Sequence, residues 1–255
     1  MPGAALVVPC YNEERRLDVD AFASFAPAGL DLRFVFVDDG SRDGTLGVLE
    51  GLAARLPDAE VLALAKNGGK AEAVRQGMLL ARARLEEAGA LDHHIGYWDA
   101  DLATPLAELP RFVEVMDARP EIDLVLGTRA KLLGRDIHRK AFRHYSGRVF
   151  ATAVSEMLRL PVYDTQCGAK LFRSGVVPEA FASPFLSRWI FDVEVIARLG
   201  RRYVARGEDL ADRLYELPLR AWRDVDGSKL SAADAVRAAR ELAAIGWRYR
   251  DVVGR

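Results

Sequence analysis

Short apolar runs, each stopping at a cluster of polar or turn-forming residues, set the rhythm of the first hundred positions. Ala5-Leu6-Val7-Val8 runs into Pro9-Cys10-Tyr11-Asn12-Glu13-Glu14, and Phe34-Val35-Phe36-Val37 into Asp38-Asp39-Gly40-Ser41. Val61-Leu62-Ala63-Leu64-Ala65 gives way to Lys66-Asn67-Gly68-Gly69-Lys70, and a fourth run closes on Tyr97-Trp98 before Asp99-Ala100-Asp101. Apolar runs of this length bounded by turn chemistry predict strands. The stretches between them, most clearly 44–56 and 70–87, predict helices. Such alternation builds an α/β fold with a mostly parallel sheet. In that sheet the four polar loops gather at one edge. A further strand is predicted at 124–126, and helical periodicity is poor from 129 until about 139. From a cap at Ser231, residues 231–250 predict an amphipathic helix through Val236, Leu242, Ile245 and Trp247. Its apolar face has two destinations, its own domain or a membrane interface, the latter helped by Arg237, Arg240, Arg248 and Arg250.

The fourth loop carries the most informative chemistry. Alternate residues of an extended segment point the same way, so Asp99 and Asp101 are expected to face one small volume and share a divalent cation with a ligand's diphosphate. Thr104 is expected to cap a helix that starts at Pro105, since proline's missing N–H costs nothing at the first helical position. That places the acid pair at a strand-to-helix corner, where open α/β sheets bind ligands.

Composition narrows the class. The 255 residues, 50% hydrophobic, suffice for one large α/β domain. Lys and Arg number 36 against 37 Asp and Glu, a net charge of −1, so bulk charge predicts neither nucleic-acid nor membrane binding. Charge is local instead: from Lys131 to Arg148 there are six Lys or Arg and a single acid, Asp136. Cys10 and Cys167 show no C-x-x-C spacing and read as packed small residues in a reducing compartment. No stretch reaches the length of a membrane span and no signal core is visible, so the expected location is cytoplasmic, with peripheral contact at the membrane face or a membrane partner as the further option.

In order and spacing, Pro9-Cys10-Tyr11-Asn12-Glu13, Asp38-Asp39-Gly40-Ser41, Asn67-Gly68-Gly69-Lys70 and Asp99-Ala100-Asp101 resemble the nucleotide-binding half of family 2 inverting glycosyltransferases with the GT-A fold. The blocks Gly127-Thr128-Arg129, Asp164 to Phe172, Arg188-Trp189-Ile190-Phe191-Asp192-Val193-Glu194 and Gly227-Ser228-Lys229-Leu230 resemble most the dolichyl-phosphate β-glucosyltransferases. The resemblance covers roughly residues 4–230. It implies a Rossmann-like single catalytic domain, divided into a nucleotide-sugar half to about 127, an acceptor half over about 128–230 and a C-terminal helix over about 231–255. It implies a hexosyltransferase using Mg²⁺ or Mn²⁺, with UDP-glucose as donor and GDP-mannose second, and polyprenyl phosphate as acceptor. Many relatives of this kind carry an amino-terminal membrane anchor, which this sequence does not show.

Site residues follow from the resemblance. Pro9, Tyr11 and Glu13 form the wall and floor of the base pocket, and Asp39 accepts from base or ribose. The other reading of Glu13 is an acid at a helix N-terminus, favoured by the helix dipole. Lys70 reaches base or diphosphate, or else is an exposed lysine at a helix start. Asp101 is the main metal ligand, with Asp99 beside it or reaching ribose or sugar. Arg129 and Arg143 match acceptor-phosphate arginines, suited by a guanidinium fork that stays charged. Gln166, Gly168 and Lys170 shape the far wall of the sugar pocket, and 164–172 reads as a hairpin entering a strand.

The acceptor sets the chemistry. A phosphate monoester, with a second pKa of about 6, is largely dianionic at neutral pH and needs little help from a base. A hydroxyl needs one, and Asp192 or Glu194 would supply it; two residues apart on a helix, only one faces the site, Asp192 by preference, leaving the other a surface acid or cap. Trp189 stacks on sugar or fills core. Three classes remain open: transfer to a polyprenyl phosphate, transfer to a soluble hydroxyl, and a binding module without turnover. Nucleotidyltransferases, which carry a G-x-G-T-R loop after the first strand, are disfavoured by Pro9-Cys10-Tyr11-Asn12 at that place.

Overall fold

The computed structural model describes residues 3–138, 141–224 and 232–252, with the backbone alone at 141–146 and 232. Strand β1 (Gly3–Cys10) is followed by α1 (Val19–Ala23), β2 (Asp31–Asp38), α2 (Thr45–Ala53), β3 (Ala59–Ala63), α3 (Lys70–Glu87) and β4 (His94–Trp98). Next come α4 (Leu109–Ala118), β5 (Leu124–Thr128), β6 (Asp136–His138), α5 (Ala141–Leu158) and β7 (Ala169–Arg173). The chain continues through α6 (Val177–Phe181), α7 (Phe191–Val204), β8 (Leu214–Pro218), β9 (Ala221–Arg223) and α8 (Ala232–Arg248).

Seven strands form one sheet in the order β3-β2-β1-β4-β7-β5-β8. All neighbours pair in parallel except where β7 meets β4 and β5. Alternate residues of β1 serve opposite faces: Ala5 and Val7 pack with α3 and α7, while Leu6 and Val8 pack with Phe22 of α1 and Phe112 of α4. Buried on both faces, the strands read as continuous apolar runs, which made them legible. Helix α3 lies close against β1 because Gly77 leaves no side chain there; a Cβ would stand 2.3 Å from Val7. The chain leaves β1 toward β2 and β3 on one side and returns to β4 on the other, so a switch point opens between β1 and β4, where such sheets form their ligand crevice.

Several expectations need correction. Thr104 is no helix cap: its carbonyl accepts from the Trp98 indole at 2.7 Å and its hydroxyl is buried near Cys167. Pro105 is extended, a single 3₁₀ turn follows at Leu106–Glu108, and α4 begins only at Leu109. The small parallel pair β6–β9 has no apolar run to announce it. Residues 164–168 form a loop after α5, not a hairpin. Helix α8 seats Ala238 and Ile245 on the core, with Tyr249 just beyond its end, whereas Val236 and Trp247 are exposed; Ser231 and the block 227–230 lie outside the described residues. Among the described residues no helix is long and apolar enough to cross a membrane.

Candidate active site

A cleft of about 440 Å³ opens at the switch point, lined by the loops that follow β1, β2, β3 and β4. Tyr11, Glu13, Asp39, Lys70, Asp99 and Asp101 all face it, as does Pro9. The loops hold one another through backbone groups. Asn12, in a left-handed conformation with φ 53°, donates its N–H to Ser41 Oγ at 3.0 Å and accepts from the Arg42 N–H at 2.9 Å. The Glu13 N–H donates to Thr45 Oγ1 at 2.8 Å. No helix starts at Glu13, which overturns the helix-dipole reading; its carboxylate instead takes Arg16 through two hydrogen bonds of 2.9 and 2.7 Å. The two lie three positions apart, a charge pairing visible in the sequence that gave Arg16 no role there.

Asp39 ties the second loop to the third. Its two oxygens accept from the Gly68 and Gly69 N–H groups at 2.7 and 2.8 Å. Burial raises its carboxyl above the ordinary value, partly offset by those two N–H donors. Gly69, at φ 88°, ends the loop in a backbone conformation that other residues adopt only with strain. Lys70 then opens α3 with its Nζ 2.5 Å from Asp99 Oδ1. Burial works against its charge, but Asp99, Asp192 and Asp101 outweigh it and hold the ammonium more firmly protonated than usual.

The acid pair reaches the cleft by a different route from the expected one. Strand β4 ends at Trp98, and residues 99–101 form a turn closed by the Leu102 N–H on the Asp99 carbonyl at 3.1 Å. Asp101 Oδ1 accepts from the Ala103 N–H at 3.0 Å. The Asp101 carboxyl is raised first by burial and then by the charge of Asp99. A cation here would relieve both. Among the described residues no three Asp, Glu, His or Cys side chains form a metal cluster. Two carboxylates suit an ion that completes its shell with ligand phosphate and water, which is how Mg²⁺ is usually held.

Gly168 makes room for this arrangement. The Asp99 N–H donates to the Gly168 carbonyl at 2.9 Å, and a Cβ on Gly168 would lie 1.9 Å from Asp99 Oδ2. Gly168→Ala is therefore expected to push Asp99 off Lys70 and cost on the order of tenfold or more in turnover, while thermal unfolding moves little. Parental turnover would show that the Asp99 position does not matter.

Beneath the acid pair lies a fully enclosed ionic group. Lys170, 0% exposed, was expected on the pocket wall; it is under the floor instead. Its Nζ lies 2.6 Å from both Asp192 Oδ1 and the Cys167 carbonyl. Tyr97 donates its hydroxyl to the same Asp192 oxygen. Burial and Asp192 together push the Tyr97 phenol well up, so it stays a donor. Asp192 is buried on Lys170 and Tyr97, and Glu194 is no surface acid: it too is buried, and it accepts from the Leu186 N–H, Arg198 and the Tyr249 hydroxyl. Trp189 is 41% exposed and fills no core. Arg188, assigned no role of its own from the sequence, donates to the Gly68 carbonyl at 2.9 Å. Both thiols are buried and shifted upward by burial, which suits packed residues.

Arg129 leaves the end of β5 and meets Asp164 in a two-point contact, Nε to Oδ2 at 2.6 Å and Nη2 to Oδ1 at 2.7 Å. Its guanidinium also lies over Trp222, 5.3 Å from the ring centre. Burial opposes the charge, and Asp164 more than restores it. Gln166 is partly buried in the same loop, its N–H on Asp164 at 3.2 Å. The side chain of Arg143 lies outside the described residues. A larger cleft of about 580 Å³ between α6, α7 and α8 stands apart from the acid pair, and its Arg198 and Arg202 are tied to Glu194 and Glu179.

A parallel-sheet crevice with an acid pair at its switch point is the frame of a nucleotide-sugar enzyme, and comparison with known proteins agrees. Residues 5–181 match the model of Glycosyl transferase family 2, and the chain belongs to that family. The dolichyl-phosphate beta-glucosyltransferase of Drosophila melanogaster is 34% identical over 242 residues, spanning 89% of this chain and 69% of that protein. The enzyme of the same name from Dictyostelium discoideum is 28% identical over 260 residues, spanning 96% and 74%. The human one is 30% identical over 246 residues, spanning 89% and 69%. Among solved structures, glucosyl-3-phosphoglycerate synthase from Mycobacterium tuberculosis with uridine diphosphate superimposes with a TM-score of 0.67 at 16% identity, covering 96% of this chain and 80% of that one. The same synthase with Mn²⁺, UDP-glucose and phosphoglyceric acid gives 0.64 at 16% identity, covering 98% and 80%. The fold is that of the GT-A glycosyltransferases, and the chain is a glycosyltransferase.

Proposed function

We propose that this glycosyltransferase moves a hexose with inversion from a sugar nucleotide, UDP-glucose first and GDP-mannose second, to a polyprenyl or dolichyl phosphate at the cytoplasmic face of a membrane. The observation that carries the reading is the cleft in which Asp99, Asp101 and Lys70 converge at the switch point. The names of its relatives support the lipid phosphate, and the Mn²⁺ and UDP-glucose complex of its structural neighbour supports the donor. In this reading Pro9, Tyr11 and Glu13 enclose the base, and Asp39 fixes the Gly68–Gly69 loop while its remaining lone pairs serve base or ribose.

Asp101, with Asp99, would hold Mg²⁺ or Mn²⁺, whose chemistry is Lewis-acid stabilisation of the leaving diphosphate. Lys70 adds a second positive charge against the same diphosphate. Arg129, stationed by Asp164 and Trp222, offers its remaining N–H donors to the acceptor phosphate, together with Arg143, and Gln166 borders that side. The phosphate oxygen attacks the anomeric carbon from the face opposite the nucleotide and needs no deprotonation. This fits Asp192, whose Oδ1 already accepts from Lys170 and Tyr97, leaving it badly placed to take a hydroxyl proton. Asp192 then serves as a fixed negative charge behind Lys70.

The test is transfer from labelled UDP-glucose and GDP-mannose to a short-chain polyprenyl phosphate, the corresponding polyprenol and simple sugars. The expected product forms from UDP-glucose and the phosphate alone. Equal glycosylation of the alcohol or of a sugar would hand the reaction to the hydroxyl reading, with Asp192 as base. Arg129→Ala is expected to lower kcat/KM for the acceptor by about tenfold to a hundredfold while the Kd for UDP stays put, because a charge-assisted contact is lost. Arg129→Lys should recover only part, since it lacks the planar two-point contact.

A further inference from the structure

At the edge where the cleft opens, two neighbouring leucines are exposed, one of them the most exposed large apolar side chain among the described residues. The loop between β5 and β6 reads Lys131-Leu132-Leu133-Gly134-Arg135, and its tip holds Leu132 at 49% and Leu133 at 103% exposure. A leucine that bare adds nothing to the fold. Gly134, at φ 76°, turns the chain so that the pair stands at the tip, with an exposed Lys131 before it and Arg135 after it. The sequence offered this stretch only as a charge run.

At the same edge of the sheet, Trp189 is 41% exposed beside Arg188, which is fastened to the Gly68 carbonyl of the loop after β3. Both features sit where the parallel strands end, the loop directly after Arg129 and Trp189 two residues before α7. Single exposed apolar residues are ordinary. Adjacent leucines between two cations, with an exposed tryptophan at the same sheet edge, are the pattern of an interfacial anchor: apolar groups enter the acyl boundary while Lys and Arg stay with the headgroups.

We propose that the Leu132–Leu133 tip and Trp189 dip into the interface of an anionic bilayer, so that the cleft opens directly onto the membrane that holds the acceptor's lipid tail. The inference rests on the lipid-phosphate reading of the acceptor. Charge selects the occupant: Lys131 and Arg135 flank the leucines, and no acid lies between them, which suits an anionic lipid surface. It also gives the arrangement a purpose, because a polyprenyl phosphate keeps its tail in the bilayer and only its head need rise to Arg129.

The test uses the full chain with sedimented vesicles of phosphatidylcholine alone and of phosphatidylcholine with phosphatidylserine, without substrate. The parent is expected to co-sediment with the anionic vesicles, less so at high salt. Leu132→Ser/Leu133→Ser should lower the bound fraction about tenfold or more, given the transfer free energy of two leucines. Lys131→Glu/Arg135→Glu should lose binding to the anionic vesicles specifically. Vesicles should shift the Trp emission to the blue in the parent and not in Trp189→Phe. Parent that stays in solution with both vesicles overturns the proposal, as does a double-leucine variant that sediments like the parent. So does a parent that self-associates through the tip, detected as a dimer that the leucine variant abolishes, since the occupant would then be a second copy. In detergent micelles of short-chain polyprenyl phosphate, where no bilayer exists, the leucine variant should transfer at the parental rate. Absence of transfer by the parent there would sink the acceptor reading, while the vesicle results would still decide the anchor on their own.

Discussion

Asp101→Ala is expected to cut transfer on the order of 10²-fold or more, and a chelator should do the same to the parent protein. The effect is that of removing one preorganised electrostatic contact to a charge that grows in the transition state. Asp101 is singled out over Asp99 because Asp99 is already paired with Lys70 at 2.5 Å, whereas the Asp101 carboxyl is kept above its ordinary value by burial and by its acidic neighbour. A site under such strain gains most when a cation arrives. The measurement is kcat at saturating donor over a titration of Mg²⁺ and Mn²⁺, with UDP affinity followed by calorimetry with and without the ion. Full turnover by the variant, or by the chelated parent, would take both Asp101 and the metal out of the reaction.

Lys170→Met is expected to destabilise the protein by about 3–5 kcal/mol, because it strands the Asp192 carboxylate without its counter-charge in a closed interior. Lys170 is 0% exposed and its Nζ lies 2.6 Å from both Asp192 Oδ1 and the Cys167 carbonyl. Urea unfolding of Lys170→Met, Asp192→Asn and the double variant reads the coupling directly. The double variant should recover much of the loss, since neither charge is then left alone. Additive effects with no recovery would mean that the pair is not coupled and that Lys170 acts through packing of its stem. Activity adds a second reading: a variant that folds at low temperature yet transfers poorly places Asp192 in a positioning role behind Lys70.

What could be read from the sequence followed from burial and local pattern. Helix α3 was bounded correctly because Gly69 and Lys70 mark its start and the small residues Ala73, Gly77 and Ala81 run along one face. Strands β1, β2 and β4 announced themselves as apolar runs because both faces of the sheet are covered. The acid pair was legible as chemistry but not as geometry. Alternation along a strand was the wrong reason, since the residues lie in a turn that Leu102 and Gly168 shape. Lys170 was misplaced because the resemblance put it on the wall of the sugar pocket, and only the pairing with Asp192 on a distant helix permits its burial. Glu194 was misread for a related cause: Arg198, four positions on along α7, was legible as a pair, but the Tyr249 hydroxyl that helps enclose it comes from just beyond α8. Partners brought together by tertiary contact leave no local trace.

Strand β7 occupies the middle of the sheet yet arrives late in the chain. It pairs Tyr97 and Leu126 with Lys170, and Tyr97 reaches Asp192 over 95 positions. During synthesis, the strands up to β4 are available first, together with all four loops that line the cleft, while the far side of β4 stays an open edge. Contacts of such long separation are slow to form, and open edges invite association with other chains. A chain cut short before residue 168 would therefore expose the open edge of β4 and leave the acidic corner without its buttress, so enzymatic competence is expected to come with the closing of that seam rather than with the first collapse.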